Sequence, residues 1–162
     1  MKEPIKRKLR IYIDTSVVGG FFDEIFEVET KALFQRLENR EVIFVVSDLL
    51  EYELEKPTDK PHLKELLKKY DKNCFEYVKT TPDAEALADC YIAEKVISRK
   101  FLDDCRHIAI ATINKVDVLA SWNFKHIVNF DKIKMYNSVN LKNSYTLIEI
   151  RNPKELLNYE VE

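Results

Sequence analysis

Apolar and polar positions follow two alternating periods along this chain, and each change of period marks an element. Residues 9–13 (LRIYI) and 41–46 (EVIFVV) are short runs rich in β-branched and aromatic side chains. Such near-continuous apolar runs suit strands buried on both faces of a parallel sheet. Each leads into a helix-start signal, Asp14-Thr15-Ser16 after the first and Ser47-Asp48 after the second. Residues 62–70 (HLKELLKKY) have amphipathic helical spacing behind Pro61, and CFEYVKT (74–80) is a further strand candidate. Thr81-Pro82 fits an N-cap and a first helical position, opening a long helix to about Ile97. Residues 103–114 (DDCRHIAIATIN) predict a second helix, apolar nearly all round and therefore sandwiched deep. After it come a strand over VDVLAS (116–121), a short helix or turn over NFKHIVNF (123–130) and a strand over KIKMYN (132–137). In YTLIEIRNPKELL (145–157) the pattern gives a last strand, a proline-marked turn and a terminal helical turn. Strands and helices joined by parallel-type connections predict an α/β fold, three layers (α/β/α) around a central parallel sheet. With no internal repeat or linker, residues 1–162 are expected to form one domain.

Composition narrows the class. The chain is 46% hydrophobic and 33% charged, ordinary for a globular protein. A net charge of −2 excludes a globally basic nucleic-acid binder, although IKRKLR (5–10) packs four cations into six residues. That stretch is expected to be a solvated lead-in to the first strand. Three cysteines, Cys74, Cys90 and Cys105, are widely spaced with no CxxC pair, so neither a zinc ribbon nor a thioredoxin-like site is supported. Reduced thiols are expected. The first residues lack an apolar signal core and no run is long enough to span a membrane, so a soluble, cytoplasmic protein is expected.

Three acids stand out by position. In open parallel sheets, functional groups gather beyond the carboxyl ends of the strands, where Asp14 sits. Asp14 equally suits a helix cap. In the helix after Ser47, the period puts Leu49, Leu50, Glu53 and Leu54 on one half of the wheel, with Asp48, Glu51, Tyr52 and Glu55 on the other. Glu53 is thus the one acid on the core-facing side, which demands a pairing, a proton or a metal. A salt bridge to a Lys or Arg would meet that demand too. At the start of the 103–114 helix, Asp104 lies in line with Ile108 and Ala111, whereas Asp103 shares its side with Arg106 and Ile110. Periodicity favours Asp104 only slightly, and either acid could serve the helix dipole.

Three hard oxygen donors without a Cys or His cluster suit Mg²⁺, or Mn²⁺ as the alternative. Such an ion can polarise a phosphodiester and make a bound water nucleophilic. Gly19 and Gly20, the only glycines of the chain, would let the backbone turn sharply beside the site and keep its approach open; an ordinary turn explains them equally well.

YIDTSVVGGFFDE, VSDLLEYEL, FLDDCRHIAIAT and DVLASWNFKHIVNF together resemble, in order and spacing, the PIN-domain proteins. They are most similar to the branch of VapC-like toxin ribonucleases from VapBC toxin–antitoxin pairs. The resemblance runs from about Arg10 to Phe130; its most specific part is D-x-x-H-I-A-x-A followed by S-W-N-F-K-H. It implies a metal-dependent endoribonuclease whose acids map onto Asp14, Glu53 and Asp104. It further implies a homodimer and a small cognate antitoxin. The family often adds a fourth acid after the strand that here reads VLAS; this chain has Asn123 there, which favours one metal over two. Thr15 and Ser121 are hydrogen-bonding neighbours of that site. His107, three residues after Asp104, is either a satisfied structural donor or an aid to a metal-bound water, and Lys125 could reach an RNA phosphate. Trp122 reads as a packing anchor.

The competing reading is a catalytically degenerate PIN domain that binds RNA or a protein without cutting. Asn123 points that way and the three retained acids point against it. Phosphotransfer from Asp14 is set aside, because neither D-x-D after the first strand nor a receiver-type acid pair is present.

Overall fold

The computed structural model describes residues 7–57, 59–60 and 62–160. Five strands, β1 (Leu9–Ile13), β2 (Val42–Ser47), β3 (Phe75–Val78), β4 (Val118–Ala120) and β5 (Ile150–Arg151), form one sheet in the order β3-β2-β1-β4-β5. Every pairing is parallel. Seven α-helices are described: α1 (Thr15–Gly20), α2 (Glu27–Glu38), α3 (Asp48–Glu55), α4 (Leu63–Leu66), α5 (Pro82–Ala93), α6 (Leu102–Ile113) and α7 (Phe130–Lys142).

The period of two along the strands sorts the core into two layers. Ile11 and Ile13 of β1, with Phe44 and Val46 of β2, face α1, α2 and α3 through Val18, Leu33, Phe34 and Leu50. Tyr12 and Val45, one residue out of step, face α5, α6 and α7 through Leu87, Tyr91, Ile108 and Tyr136. Helices therefore cover both faces of a parallel sheet, the expected α/β/α layering. Because β1 has β2 on one side and β4 on the other, the chain leaves its carboxyl end between diverging connections, where open parallel sheets form a crevice.

All five strands fall on segments expected to be strands, and the Ser47 and Thr81 caps and the deep burial of α6 match as well. The tail does too: β5 is followed by a 3₁₀ turn at Pro153–Leu156, closed by a reciprocal Asn152–Glu155 capping box. Four expectations are corrected. KIKMYN is not a strand but the first half of α7, whose buried residues Tyr136, Val139 and Asn140 have helical spacing and whose Asn129 cap accepts from Lys132 N at 3.1 Å. Residues 27–38, unassigned above, form α2. The helix from Pro82 ends at Ala93, where Lys95 takes a left-handed φ of 62° and turns Val96 and Ile97 into the core. Residues 63–69 divide into α4 and a short 3₁₀ turn rather than one helix; Pro61, expected to open it, lies outside the described residues. The basic lead-in is partly pinned: Arg7 pairs with Asp117 and Arg10 with Glu76, while residues 5 and 6 lie outside the described residues.

Candidate active site

Asp14 follows the last residue of β1 and is buried, 3% exposed. It is the helix cap that the sequence offered, and a buried acid as well. Its Oδ1 accepts from Val17 N at 3.3 Å, capping α1. Ser16 Oγ donates to the same oxygen at 2.5 Å and Ser121 Oγ to Oδ2 at 2.5 Å. Burial pushes the Asp14 carboxyl above its ordinary value, and His107, the two serines and Val17 N–H oppose that rise.

Asp104 enters from the first turn of α6. Its carboxyl is pushed up to about 6, first by burial, with the negative charges of Asp14 and Glu53 adding to the rise. His107 and the Asn123 amide, whose Nδ2 donates to Asp104 Oδ2 at 3.3 Å, act in the other direction. Asp103 instead pairs with Arg106 at 2.7 Å, and Arg106 also reaches Glu85, so the choice between the two acids falls to Asp104.

Glu53 lies on the core side of α3 beside buried Leu50 and Leu54, while Asp48, Glu51, Tyr52 and Glu55 are exposed. Its partner is not a Lys or Arg but His107: Nε2 of that buried ring hydrogen-bonds Glu53 Oε1. His107 Nδ1 meets Tyr12 Oη at 2.7 Å, and Tyr12 Oη meets Ser47 Oγ at 2.8 Å. Among the described residues, His107 is the only side chain able to carry positive charge that pairs with any of the three acids.

The other expected residues also gather here. Asn123 N donates to Ser121 Oγ at 3.0 Å, and Asn123 Oδ1 accepts from His126 N at 3.0 Å. Thr15 Oγ1, next to Asp14, is buried with no hydrogen-bond partner among the described residues. Lys125 stands exposed in the turn after Asn123. Trp122 is the packing anchor: it stacks on Phe26 at 4.3 Å, Nε1 donates to Thr30 Oγ1 at 2.9 Å, and its backbone N donates to Ser16 Oγ at 2.9 Å.

Neither glycine serves a turn, and only Gly20 serves that indole. Neither has a positive φ, and both lie in α1. A Cβ on Gly20 would stand 2.6 Å from Trp122 Nε1 and 2.9 Å from Thr30 Oγ1, whereas one on Gly19 would meet nothing within 4 Å. Tyr12, Ser16 and Ser47 were missing from the expected site. Ser16 was within reach, two residues from Asp14; Tyr12 and Ser47 read as strand residues, and only the sheet register joins them to His107.

Each acid is held by its own neighbours. As they stand, no group of three or more His, Cys, Asp or Glu side chains among the described residues is gathered closely enough to hold a metal ion. The donor set nevertheless suits a hard divalent cation: three carboxylates and no soft ligand, with one carboxylate pushed up by burial and by the charges of the other two.

No family model and no curated protein matches the sequence. Solved structures do. The chain is similar to one in the structure of VapBC2 from Rickettsia felis bound to a promoter DNA fragment, with a TM-score of 0.57 and 11% identity, over 89% of this chain and 98% of that one. A chain of a toxin–antitoxin complex from Klebsiella pneumoniae aligns with a TM-score of 0.56 and 16% identity, over 93% and 99%. The fold is PIN-like. A third similar structure with this fold is Mycobacterium tuberculosis VapC20, described as a sarcin-ricin loop cleaving toxin: TM-score 0.56, 11% identity, 72% of this chain and 92% of that one. At these identities the likeness is one of fold. The PIN-like fold accounts for the crevice at the end of β1 and for the entry of α3 and α6 into it. No helix among the described residues is long and apolar enough to cross a membrane.

Proposed function

We propose that this chain is a Mg²⁺- or Mn²⁺-dependent endoribonuclease, the toxin of a toxin–antitoxin pair. One observation carries the reading: Asp14 and Glu53, from two other elements, lie near enough to the first turn of α6 for their charges to add to the rise of the Asp104 carboxyl. The solved structures with this fold support it, since one is a toxin–antitoxin complex, one is VapBC2 on its promoter DNA and a third is a sarcin-ricin loop cleaving toxin. A small antitoxin, an RNA substrate and a homodimer are the partners this reading carries.

Asp14, Glu53 and Asp104 would hold the cation. When bound, it would polarise the scissile phosphodiester and lower the pKa of a water enough for attack at phosphorus. The chain's own residues prepare the place. Ser16 and Ser121 fix the two oxygens of Asp14. Asn123 orients Asp104 without adding charge, so three negative charges serve one divalent ion rather than two. Thr15 Oγ1 offers an uncommitted hydroxyl next to Asp14. Lys125, on the exposed turn, supplies a cation for an RNA phosphate.

The test is cleavage of a structured RNA pool by purified protein with Mg²⁺, Mn²⁺ or EDTA, beside Asp104→Asn. An ion at such a site contributes several kcal/mol of transition-state stabilisation, so the variant is expected to cut about 10³-fold more slowly. Cutting in EDTA, or by Asp104→Asn at the wild-type rate, would overturn the assignment. No cutting by folded, inhibitor-free protein with either metal would favour a PIN-like domain that binds without cleaving, with Asn123 as the departure to explain.

A further inference from the structure

His107 does more than fill space in α6. It is 2% exposed, and both ring nitrogens are engaged, Nδ1 by Tyr12 and Nε2 by Glu53. The donors along this chain run in one direction. At the far end, Leu50 N donates to Ser47 Oγ at 3.1 Å, and Ser47 Oγ meets Tyr12 Oη at 2.8 Å. Tyr12 Oη donates to Nδ1 when the ring is neutral and bears its proton on Nε2, the tautomer that the Glu53 carboxylate requires. With Nδ1 accepting, the imidazole proton lies on Nε2 and points at Glu53 Oε1. The opposite tautomer would set the Nε2 lone pair against a carboxylate, which can only accept.

The chain of bonds also has a mechanical consequence. Ser47 is the N-cap of α3 and Glu53 lies later in the same helix, so the relay ties both points of α3 to β1 and α6. Oε1 is held by His107, while Oε2 meets no hydrogen-bond donor among the described residues. One oxygen is thus oriented by the protein and the other is left to a ligand.

We propose that Tyr12 and His107 are positioning residues for the cation site, holding Glu53 in one orientation through the Ser47–Tyr12–His107–Glu53 relay. The inference rests on the metal reading given above. Groups that orient a ligand contribute about ten- to a hundredfold to metal affinity, because without them the ligand's alternative orientations compete with binding.

The experiment is Mn²⁺ binding by metal-stripped full-length protein, followed by the electron paramagnetic resonance signal of free Mn²⁺. Wild type is compared with Tyr12→Phe, His107→Leu and His107→Gln. Tyr12→Phe keeps the aromatic packing and removes only the hydroxyl, so it carries the test if His107→Leu fails to fold. Binding is expected to weaken about tenfold or more in Tyr12→Phe and His107→Leu, and the amide donor of His107→Gln is expected to restore most of the loss. Folded Tyr12→Phe protein that binds Mn²⁺ with wild-type affinity would overturn the proposal and leave the metal reading intact. Wild-type protein that binds no Mn²⁺ would overturn both. A role confined to packing would change thermal stability without changing Mn²⁺ affinity.

Discussion

Asp104 faces two demands that conflict. In the proposed cation site it would have to be ionised, yet burial, with two neighbouring acids adding to it, holds its carboxyl at about 6. At neutral pH without metal, its charge is a cost that the fold carries for the sake of the site. Asp104→Asn removes the charge and keeps a group of similar size beside Asn123. With solvent screening of this part-exposed group taken into account, metal-free protein should gain about 1 kcal/mol, or about 2–4 °C in thermal midpoint at pH 7. Calorimetry in EDTA checks this, and a midpoint below wild type would show that Asp104 carries no such burden. Asp14→Asn should behave differently: Asn is as good an N-cap as Asp, so the fold should persist while Mn²⁺ binding and cleavage are lost. At this scale the sequence picked out side chains that the structure brings near one another. The helical wheel identified Glu53 as the inward acid because spacing alone decides which side of a helix faces the core. It could not name His107 as the partner, because that bond joins residues 54 positions apart, which meet only when α3 and α6 converge.

Elements were legible where their pattern was local. β1 and β2 are short apolar runs bounded by polar caps, and burial confirms their core positions. α7 was misread because K-I-K-M-Y alternates like a half-buried strand over five residues. Its helical face is completed by Asn140, which is buried, accepts from Tyr91 and donates to Thr112 Oγ1 at 3.4 Å. A buried polar residue is invisible to a hydrophobic pattern. α2 has a plainer signal, Thr30, Leu33, Phe34 and Leu37 buried at i, i+3, i+4 and i+7. The two glycines of α1 differ in a way only packing reveals. Gly19→Ala adds a methyl in open space within a helix and should be neutral or stabilising by about 0.5–1 kcal/mol. Gly20→Ala drives a methyl into an indole already held by Phe26, Thr30 and Ser16, and should cost about 1–3 kcal/mol. Denaturant unfolding of the pair checks this. Equal stabilities would mean that Trp122 yields easily and is not the anchor described here.

For the whole molecule, the sheet order decides where chemistry can occur. With β2 and β4 flanking β1, the connections through α1 and α2 and through α5 and α6 lie on opposite faces, and the acids reach one crevice from both layers. Carboxylates gathered in this way couple folding to protons and to cations. Asp104 is raised in the folded state from an ordinary value of 3.8 to about 6, and Asp14 is raised as well. Between those two values the folded chain binds more protons than the unfolded one, so this contribution to stability is full below about 4 and is lost as pH rises through 6. Metal-free protein should therefore lose thermal stability between pH 5 and pH 7, and Asp104→Asn should flatten that slope. A divalent cation competes with the same protons. Mg²⁺ should raise the thermal midpoint strongly at pH 7.5 and weakly at pH 5, since a ligand at free concentration L that binds only the folded state stabilises by RT ln(1 + L/Kd), and protonation raises Kd. Thermal scans at the two pH values, with EDTA or excess Mg²⁺, measure both effects together. A Mg²⁺ shift equal at pH 5 and pH 7.5, or one that persists in Asp104→Asn, would place the cation away from the three acids and break the link between this crevice and the proposed chemistry.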